Sequence, residues 1–321
     1  MIDRRKLIAL LGGAILAWPL AVRGQEPGRT YRIGALTLPR NAPNQVAFYD
    51  ELSRLGFVEG QNLKLDEHGY GLRPEQFAQH AAELVAANVD VIVCGGGAAV
   101  RAAQQATATI PILGVADDMV GEGLVRSLAH PDGNTTGVSI LATELDGKRQ
   151  ELLIELIPGT RHIAALAATA PKALQALQDA ARAKGVELVI HNVGTPEEIA
   201  PAIDAAKASG AAGLNVLPSP LLFGNRRIIF ERVAALGLPA MYQWPEMSQE
   251  GGVVAYGPSI VQIYRQLMSR LLVQLLRGTK PADLPVQQPT TFELVVNLKT
   301  AKGIGLTIPE SFLARADEVI E

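Results

Sequence analysis

The second half of this chain repeats the pattern of the first half about 130 residues later. The repeated segments are residues 31–36 and 161–166, residues 90–95 and 213–218, and residues 109–113 and 237–241. In each copy a short apolar run ends in small or turn-forming residues, and a helical pattern follows. Because the repeat is longer than the roughly 20–50 residues of a solenoid unit, we interpret it as the duplication of a whole lobe.

Strand and helix patterns alternate along both copies. This alternation predicts an α/β protein with two similar, doubly wound, parallel-sheet lobes, joined by a hinge and separated by a ligand cleft. The composition agrees, because 48% of the 321 residues are hydrophobic, 19% are charged and only 5% are aromatic. Such a chain has enough apolar residues to bury a core in each of two domains.

The same pattern predicts where the chain passes between the lobes. The expected lobes are residues 30–140 with 258–290 and residues 141–257 with 291–321, with hinges near Ile140, Gly257 and Thr290. Three local predictions follow from the capping and breaking signals. Asn44 caps the first helix, a short helix covers residues 121–128, and a long helix runs from Ser259 to Leu276.

The first 24 residues have the pattern of a secretory signal peptide. A basic stretch at residues 3–6 precedes an apolar run at residues 7–22, and Gly24 offers a small residue for cleavage. The apolar run is shorter than the roughly 20 residues of a membrane span, although a buried or membrane-anchoring helix is an alternative. The Arg4-Arg5 pair also fits the twin-arginine export route. We therefore predict a periplasmic protein that is cleaved near Gly24.

The charge pattern argues against nucleic acid as a partner. The chain has 29 Lys and Arg residues against 32 Asp and Glu residues, and loss of residues 1–24 changes the formal net charge from −3 to −6. No basic stripe remains in the mature segment. The single cysteine, Cys94, excludes an intramolecular disulfide bond, and we expect a monomer.

In open parallel sheets, ligands lie beyond the carboxyl ends of the strands, and the first lobe has unusual residues there. Residues 95–97 are three glycines that lead into a helix, whose free N–H groups suit a carboxylate. Asp117 and Asp118 suit an ammonium group or a hydroxyl donor. The alternatives are a tight turn for the glycines and a cap or turn for the aspartates, with Asp118 the better cap. The candidate ligand-binding residues of this lobe are Thr37, Pro39, Gly95, Gly96, Gly97, Asp117 and Asp118.

The corresponding strand ends of the second lobe carry different residues. The candidates there are Thr169, Ser219, Tyr242, Gln243 and Trp244. Tyr242 and Trp244 at the edge of a cleft could clamp an apolar or aromatic ligand by stacking. The alternative is that Trp244 packs against its own lobe.

No pattern in the sequence points to catalysis or to metal binding. The five histidines are scattered without the paired spacing of a metal site, and no G-x-S-x-G elbow occurs. Cys94 lies in an apolar strand, where a structural thiol is the better interpretation. The glycines at 95–97 match neither the dinucleotide fingerprint nor the P-loop. We therefore predict a binding protein without enzymatic activity, metal or cofactor.

Several stretches of the chain resemble one protein family, the ABC-transporter substrate-binding proteins of the tryptophan/tyrosine type. The most specific stretches are LGFVEGQN at 55–62, ATATIPI at 106–112, GNTTG at 133–137, KPADLP at 280–285, FELVVNLKTAK at 292–302 and RADEVIE at 315–321. The resemblance covers almost the whole mature chain and implies the periplasmic-binding-protein type I fold. The chain departs from the family pattern at Met119, where the family usually has proline, and in its run of three glycines.

These observations together predict a periplasmic solute-binding protein of an ABC importer. It would bind a small organic ligand, such as an amino acid or an aromatic or other organic acid, and close its two lobes around it. Its partners would be this ligand and an inner-membrane ABC permease with its ATPase. A periplasmic sensing module that reports to a membrane receptor is one alternative, and a periplasmic enzyme is a weaker one.

Overall fold

The computed structural model describes residues 28–141, 143–168 and 171–321. The predicted signal peptide and the candidate residue Thr169 lie outside the described residues. None of the helices in these ranges has the length and apolarity that crossing a membrane requires.

Within the described ranges, the first lobe is built on a five-stranded parallel sheet with strand order β2-β1-β3-β4-β5. Its strands are β1 (Tyr31–Leu36), β2 (Leu63–Leu65), β3 (Val91–Gly95), β4 (Ile112–Ala116) and β5 (Thr135–Ser139). The connecting α-helices are α1 (Pro43–Arg54), α2 (Phe77–Ala86) and α3 (Gly97–Ala106). Cys94 pairs with Leu36 on one side and Gly114 on the other, so the carboxyl ends of β1, β3 and β4 are neighbours.

The second lobe, over the same described residues, is built on a seven-stranded sheet with strand order β12-β11-β10-β9-β8-β6-β7. Its strands are β6 (His162–Ala167), β7 (Glu187–Asn192), β8 (Leu214–Val216), β9 (Ala240–Tyr242), β10 (Val254–Gly257), β11 (Glu293–Asn297) and β12 (Glu318–Ile320). Its helices up to β10 are α4 (Asp146–Leu156), α5 (Pro171–Ala183), α6 (Ile199–Ala208), α7 (Pro220–Gly224), α8 (Arg226–Ala235) and α9 (Pro245–Gln249). Strand β11 runs antiparallel to β10, whereas the other pairs are parallel. The predicted pair of parallel-sheet α/β lobes is confirmed, and the antiparallel strand is an addition that the repeat does not predict.

The central strands are buried on both faces, which explains their continuous apolar sequences. In β3, Val93 faces the apolar cluster that contains Phe48 of α1, whereas Ile92 and Cys94 face the cluster that contains Val100 of α3. The cluster around Phe48 continues into the second lobe, so both lobes contribute to one apolar interior.

The chain passes between the two sheets after β5, after β10 and before β11. After β10, a continuous helix consists of α10 (Ile260–Gln262), a π-helical segment (Ile263–Met268) and α11 (Ser269–Leu276), and it packs against α1 of the first lobe. The predicted long helix is therefore confirmed, although its π-helical segment is not anticipated. Gln287 then pairs with β5, and α12 (Leu298–Gly303) and α13 (Glu310–Leu313) follow β11.

Two local predictions are wrong. Residues 121–128 form turns instead of a helix, because the Asp118 side chain accepts the backbone N–H of Gly121 (2.8 Å) and Gly123 has φ +69°. Asn44 does not cap α1, because the helix begins at Pro43 and its N-cap is Ala42, without a side-chain cap.

Candidate functional site

The two lobes meet at the carboxyl ends of their strands. Helix α7 of the second lobe lies against the rim of the first lobe at two places. A Cβ atom added to Gly96 would lie 3.2 Å from Cγ of Pro220, and one added to Gly224 would lie 4.0 Å from Cδ2 of Leu38. Gly96 also has φ +102°, a conformation that favours glycine. The glycine after β3 thus allows the second lobe to approach closely, which places the candidate cleft between α7 and the ends of β1 and β3.

Thr37 is buried at the end of β1 and is held from several sides. Its Oγ1 accepts a hydrogen bond from Nε2 of Gln45 (2.9 Å), and its backbone N–H donates to the carbonyl of Gly69 (3.1 Å). A Cβ atom on Gly95 would lie 2.6 Å from Thr37 Oγ1, so Gly95 provides the space that this hydroxyl occupies. Pro39 is exposed, and its carbonyl accepts the N–H of Ala42 in the turn that precedes α1.

The space in front of helix α3 is occupied by a carboxylate of this chain. A Cβ atom on Gly97 would overlap Oε2 of Glu122, so the Glu122 side chain lies against the first turn of α3. No side chain caps this helix. The pKa of Glu122 is raised above its ordinary value, chiefly by burial. A hydrogen bond from the backbone of Asp118 opposes this effect, and the nearby Asp117 carboxylate adds to it. The sequence prediction assigned this position to a ligand carboxylate and missed Glu122, whose signal is its place between Gly121 and Gly123.

Asp117 and Asp118 have different roles in the structure. Asp118 accepts hydrogen bonds from the N–H groups of Val120 (3.1 Å) and Gly121 (2.8 Å), which is the turn role given above as the alternative. Asp117 accepts from the backbone N–H of Thr143 (2.9 Å) and from its hydroxyl. Asp117 therefore connects the end of β4 to the segment that leads into α4 of the second lobe.

The two aromatic residues predicted to form a clamp, Tyr242 and Trp244, are both buried in the structure. Tyr242 is fully buried and packs edge-to-face on Phe230 of α8, with ring centroids 5.2 Å apart. The Tyr242 side chain therefore belongs to the interior of its lobe, since it lies between the sheet and α8. Trp244 is 6% exposed and belongs to the apolar interior. A role of Trp244 in ligand binding stays a prediction.

Gln243 and Ser219 are engaged by neighbouring groups of their own lobe. With its amide oriented to satisfy both neighbours, Gln243 donates to the carbonyl of Val216 (3.1 Å) and accepts from Nε1 of Trp244 (3.2 Å). Ser219 is the N-cap of α7 and accepts the N–H of Leu222 (3.1 Å). Its hydroxyl thus stabilises the helix that contacts the first lobe.

A buried ion pair lies where the chain leaves β10. Asp146 and Arg149 of α4 form a contact of 2.5 Å, and Arg149, which is 0% exposed, also donates to the carbonyl of Tyr256 (3.2 Å). Burial raises the pKa of Asp146 to about 6, against the opposing effect of Arg149. This pair is not among the residues predicted from sequence, although Asp146 and Arg149 have the i, i+3 spacing at which helical side chains meet.

The described residues contain no group of three or more His, Cys, Asp or Glu side chains that could hold a metal ion. Cys94 is completely buried in β3, and this burial raises the pKa of its thiol far above the ordinary value. Such a thiol is unreactive.

Two α/β lobes with connections that cross between them, and with strand ends that face each other, define the class of two-lobed ligand-binding proteins. Comparison with known proteins gives the family. The model of the family "ABC transporter substrate binding protein" matches residues 44–320, and the chain belongs to this family.

Individual relatives agree with this assignment. The chain is 26% identical over 264 residues to the tyrosine-binding protein of Clostridioides difficile (strain R20291), covering 81% of this chain and 75% of that protein. A conserved domain protein of Vibrio cholerae matches with a TM-score of 0.81 and 26% identity, covering 91% of this chain and 100% of that one. The ABC domain from Streptococcus pneumonia in complex with L-Trp matches with a TM-score of 0.77 and 26% identity, over the same shares. The neighbours have the type I periplasmic-binding-protein fold, as the resemblance in sequence predicts.

Proposed function

We propose that this protein is the periplasmic binding component of an ABC importer for a free α-amino acid with an apolar or aromatic side chain. The family match supports a substrate-binding role, and the relatives named for tyrosine and L-Trp support the ligand class. The observation that carries the proposal is the contact of α7 with Gly96 and Leu38, because it brings the strand ends of both lobes together around one site.

The proposed mechanism is closure of the lobes around the ligand. A ligand that contacts both rims stabilises the closed state relative to the open state, and only that difference in affinity drives closure. The lobes would be residues 30–140 with 258–290 and residues 141–257 with 291–321. Movement would occur at the crossovers near Ile140, Gly257 and Thr290. The closed, loaded monomer would then deliver its ligand to the permease, and no chemical step on the ligand is required.

Measuring thermal stability with candidate ligands tests this proposal. L-tryptophan, L-tyrosine and L-leucine are compared with L-glutamate, L-lysine and indole-3-acetate on the purified protein. A ligand present at 100 times its Kd stabilises the folded protein by about 2.7 kcal/mol, which raises the Tm by several degrees. The proposal predicts a shift with at least one of the first three ligands. It is wrong if none of them shifts the Tm.

A further inference from the structure

Three buried amide atoms at the start of α1 have no hydrogen-bond partner among the described residues. They are Nδ2 and Oδ1 of Asn44 and Oε1 of Gln45. Asn44 is 1% exposed and Gln45 is 0% exposed. A protein loses free energy when it buries an amide without a partner, so three such atoms in one place need an explanation. Helix capping is not that explanation, because no side chain caps α1.

These amides lie directly behind the rim of the candidate site. Gln45 donates from Nε2 to Thr37, the residue that follows β1, and the Tyr264 hydroxyl lies beside both Thr37 and Asn44. Thr37 in turn is next to Gly95 at the end of β3. Helix α7 lies against Leu38 and Gly96, the residues that follow Thr37 and Gly95 in the sequence. We call Thr37, Asn44, Gln45 and Tyr264 the amide floor.

We propose that the amide floor binds the α-ammonium and α-carboxylate groups of the amino acid, an inference that rests on the function proposed above. The oxygen atoms of Asn44 and Gln45 would accept hydrogen bonds from the ammonium group. Nδ2 of Asn44 and the hydroxyl of Tyr264 would donate to the carboxylate. The floor is neutral, and so is the zwitterionic end of an amino acid, so binding would bury no unbalanced charge.

The contacts of the acidic rim residues favour this assignment over the one made from sequence. Asp118 accepts two N–H groups of its own turn, and Asp117 accepts the backbone and hydroxyl groups of Thr143. Glu122 occupies the space at Gly97. The carboxylates of this rim are thus engaged with the protein itself, whereas the amide atoms Nδ2 and Oδ1 of Asn44 and Oε1 of Gln45 have no partner among the described residues.

Substitution of Asn44 by leucine tests the proposal, because it has opposite expected effects on stability and affinity. Without ligand, Asn44→Leu should unfold at a higher urea concentration than the wild type, since it removes two buried atoms that lack partners. Its Kd should be at least about tenfold higher for whichever of L-tryptophan, L-tyrosine and L-leucine binds the wild type, measured by calorimetry. Asn44→Asp, which keeps the shape of the side chain, should weaken binding by a similar factor.

The matched control is Asn215→Leu. Asn215 lies on β8, is 0% exposed, and likewise has two amide atoms without partners among the described residues. The affinity of the Asn215→Leu variant for the bound amino acid should stay within about twofold of that of the wild type. The decarboxylated analogue of the bound amino acid, tryptamine in the case of L-tryptophan, should bind the wild type at least about tenfold more weakly.

The two proposals fail in different ways. If the wild type binds an amino acid and Asn44→Leu and Asn44→Asp bind it equally well, the amide floor holds only water and this inference is wrong. If the wild type binds none of the three amino acids, the proposed function fails and this inference fails with it.

Discussion

The hydroxyl group of Tyr242 is a buried donor without a hydrogen-bond partner among the described residues. Burial raises the pKa of this phenol far above its ordinary value. Tyr242→Phe removes the hydroxyl and keeps the ring contact with Phe230, so we expect the free energy of unfolding to rise by about 1 kcal/mol in urea denaturation. Ligand affinity should not change. A large loss of ligand affinity in Tyr242→Phe would show that the Tyr242 hydroxyl contacts the ligand.

Gly96 combines a positive φ angle with a contact to the other lobe, and the two effects are separable. Gly96→Ala strains the backbone and forces Pro220 away, since the added Cβ would lie 3.2 Å from its Cγ. We expect a loss of about 1–2 kcal/mol in stability and, in addition, weaker ligand binding in calorimetry. Gly60→Ala is the control, because Gly60 has φ +81° with no atom within 4 Å of the added Cβ. Gly60→Ala should lose stability without losing ligand affinity. An equal loss of affinity in Gly96→Ala and Gly60→Ala would refute the role of the Gly96 contact.

At the scale of elements, the long helix after β10 begins on a carboxylate from the second lobe. Glu246 of α9 accepts the Ser259 hydroxyl (2.5 Å) and the backbone N–H of Val261 (3.0 Å). This charge at a helix N-terminus is favourable, so Glu246→Gln should cost about 1–2 kcal/mol of unfolding free energy. The control is Glu310→Gln in the first turn of the short helix α13, which is exposed and should change stability by less than about 0.5 kcal/mol. Equal effects of the two substitutions would contradict a stabilising role of Glu246 at this helix N-terminus.

The sequence predicts the elements far better than it predicts the site. Apolar runs and breakers depend on local physics, so the strands and the long helix after β10 are found close to their observed limits. The turn at 121–128 is missed because one side chain, Asp118, competes with helix formation. Of the amide floor, Thr37 is predicted as a site residue, but Asn44, Gln45 and Tyr264 are not. Asn44 and Tyr264 are distant in sequence and meet only when α1 packs against the returning helix.

At the scale of the whole molecule, polar contacts lie at each place where the chain passes between the lobes. Asp117 accepts the backbone N–H of Thr143 before α4, and Glu246 accepts the N–H of Val261 at the start of α10. Arg149 donates to the carbonyl of Tyr256 at the end of β10. Gln287 pairs with Ser139 and Gly137 on the third passage. We expect the polar contacts at these crossovers to limit the paths along which the lobes move during the proposed closure.

Arg149→Leu tests the buried pair at the crossover after β10 and has a defined pH dependence. Burial raises the pKa of Asp146 from 3.8 to about 6 in the folded protein. Between about pH 4 and pH 6 the folded state therefore binds more protons than the unfolded state, and this group's contribution to stability falls as the pH rises. Removing Arg149 removes the attraction that opposes the shift, so the pKa of Asp146 rises further. The variant should lose about 3 kcal/mol or more at pH 8 and clearly less at pH 5, where Asp146 is able to take up a proton.

Arg270→Leu, on an exposed position of α11, is the control and should change stability by less than about 0.5 kcal/mol at both pH values in urea denaturation. A loss that is equal at pH 5 and pH 8 would mean that the ionised Asp146 does not depend on Arg149, and the crossover would then be held by the Tyr256 carbonyl contact and packing alone.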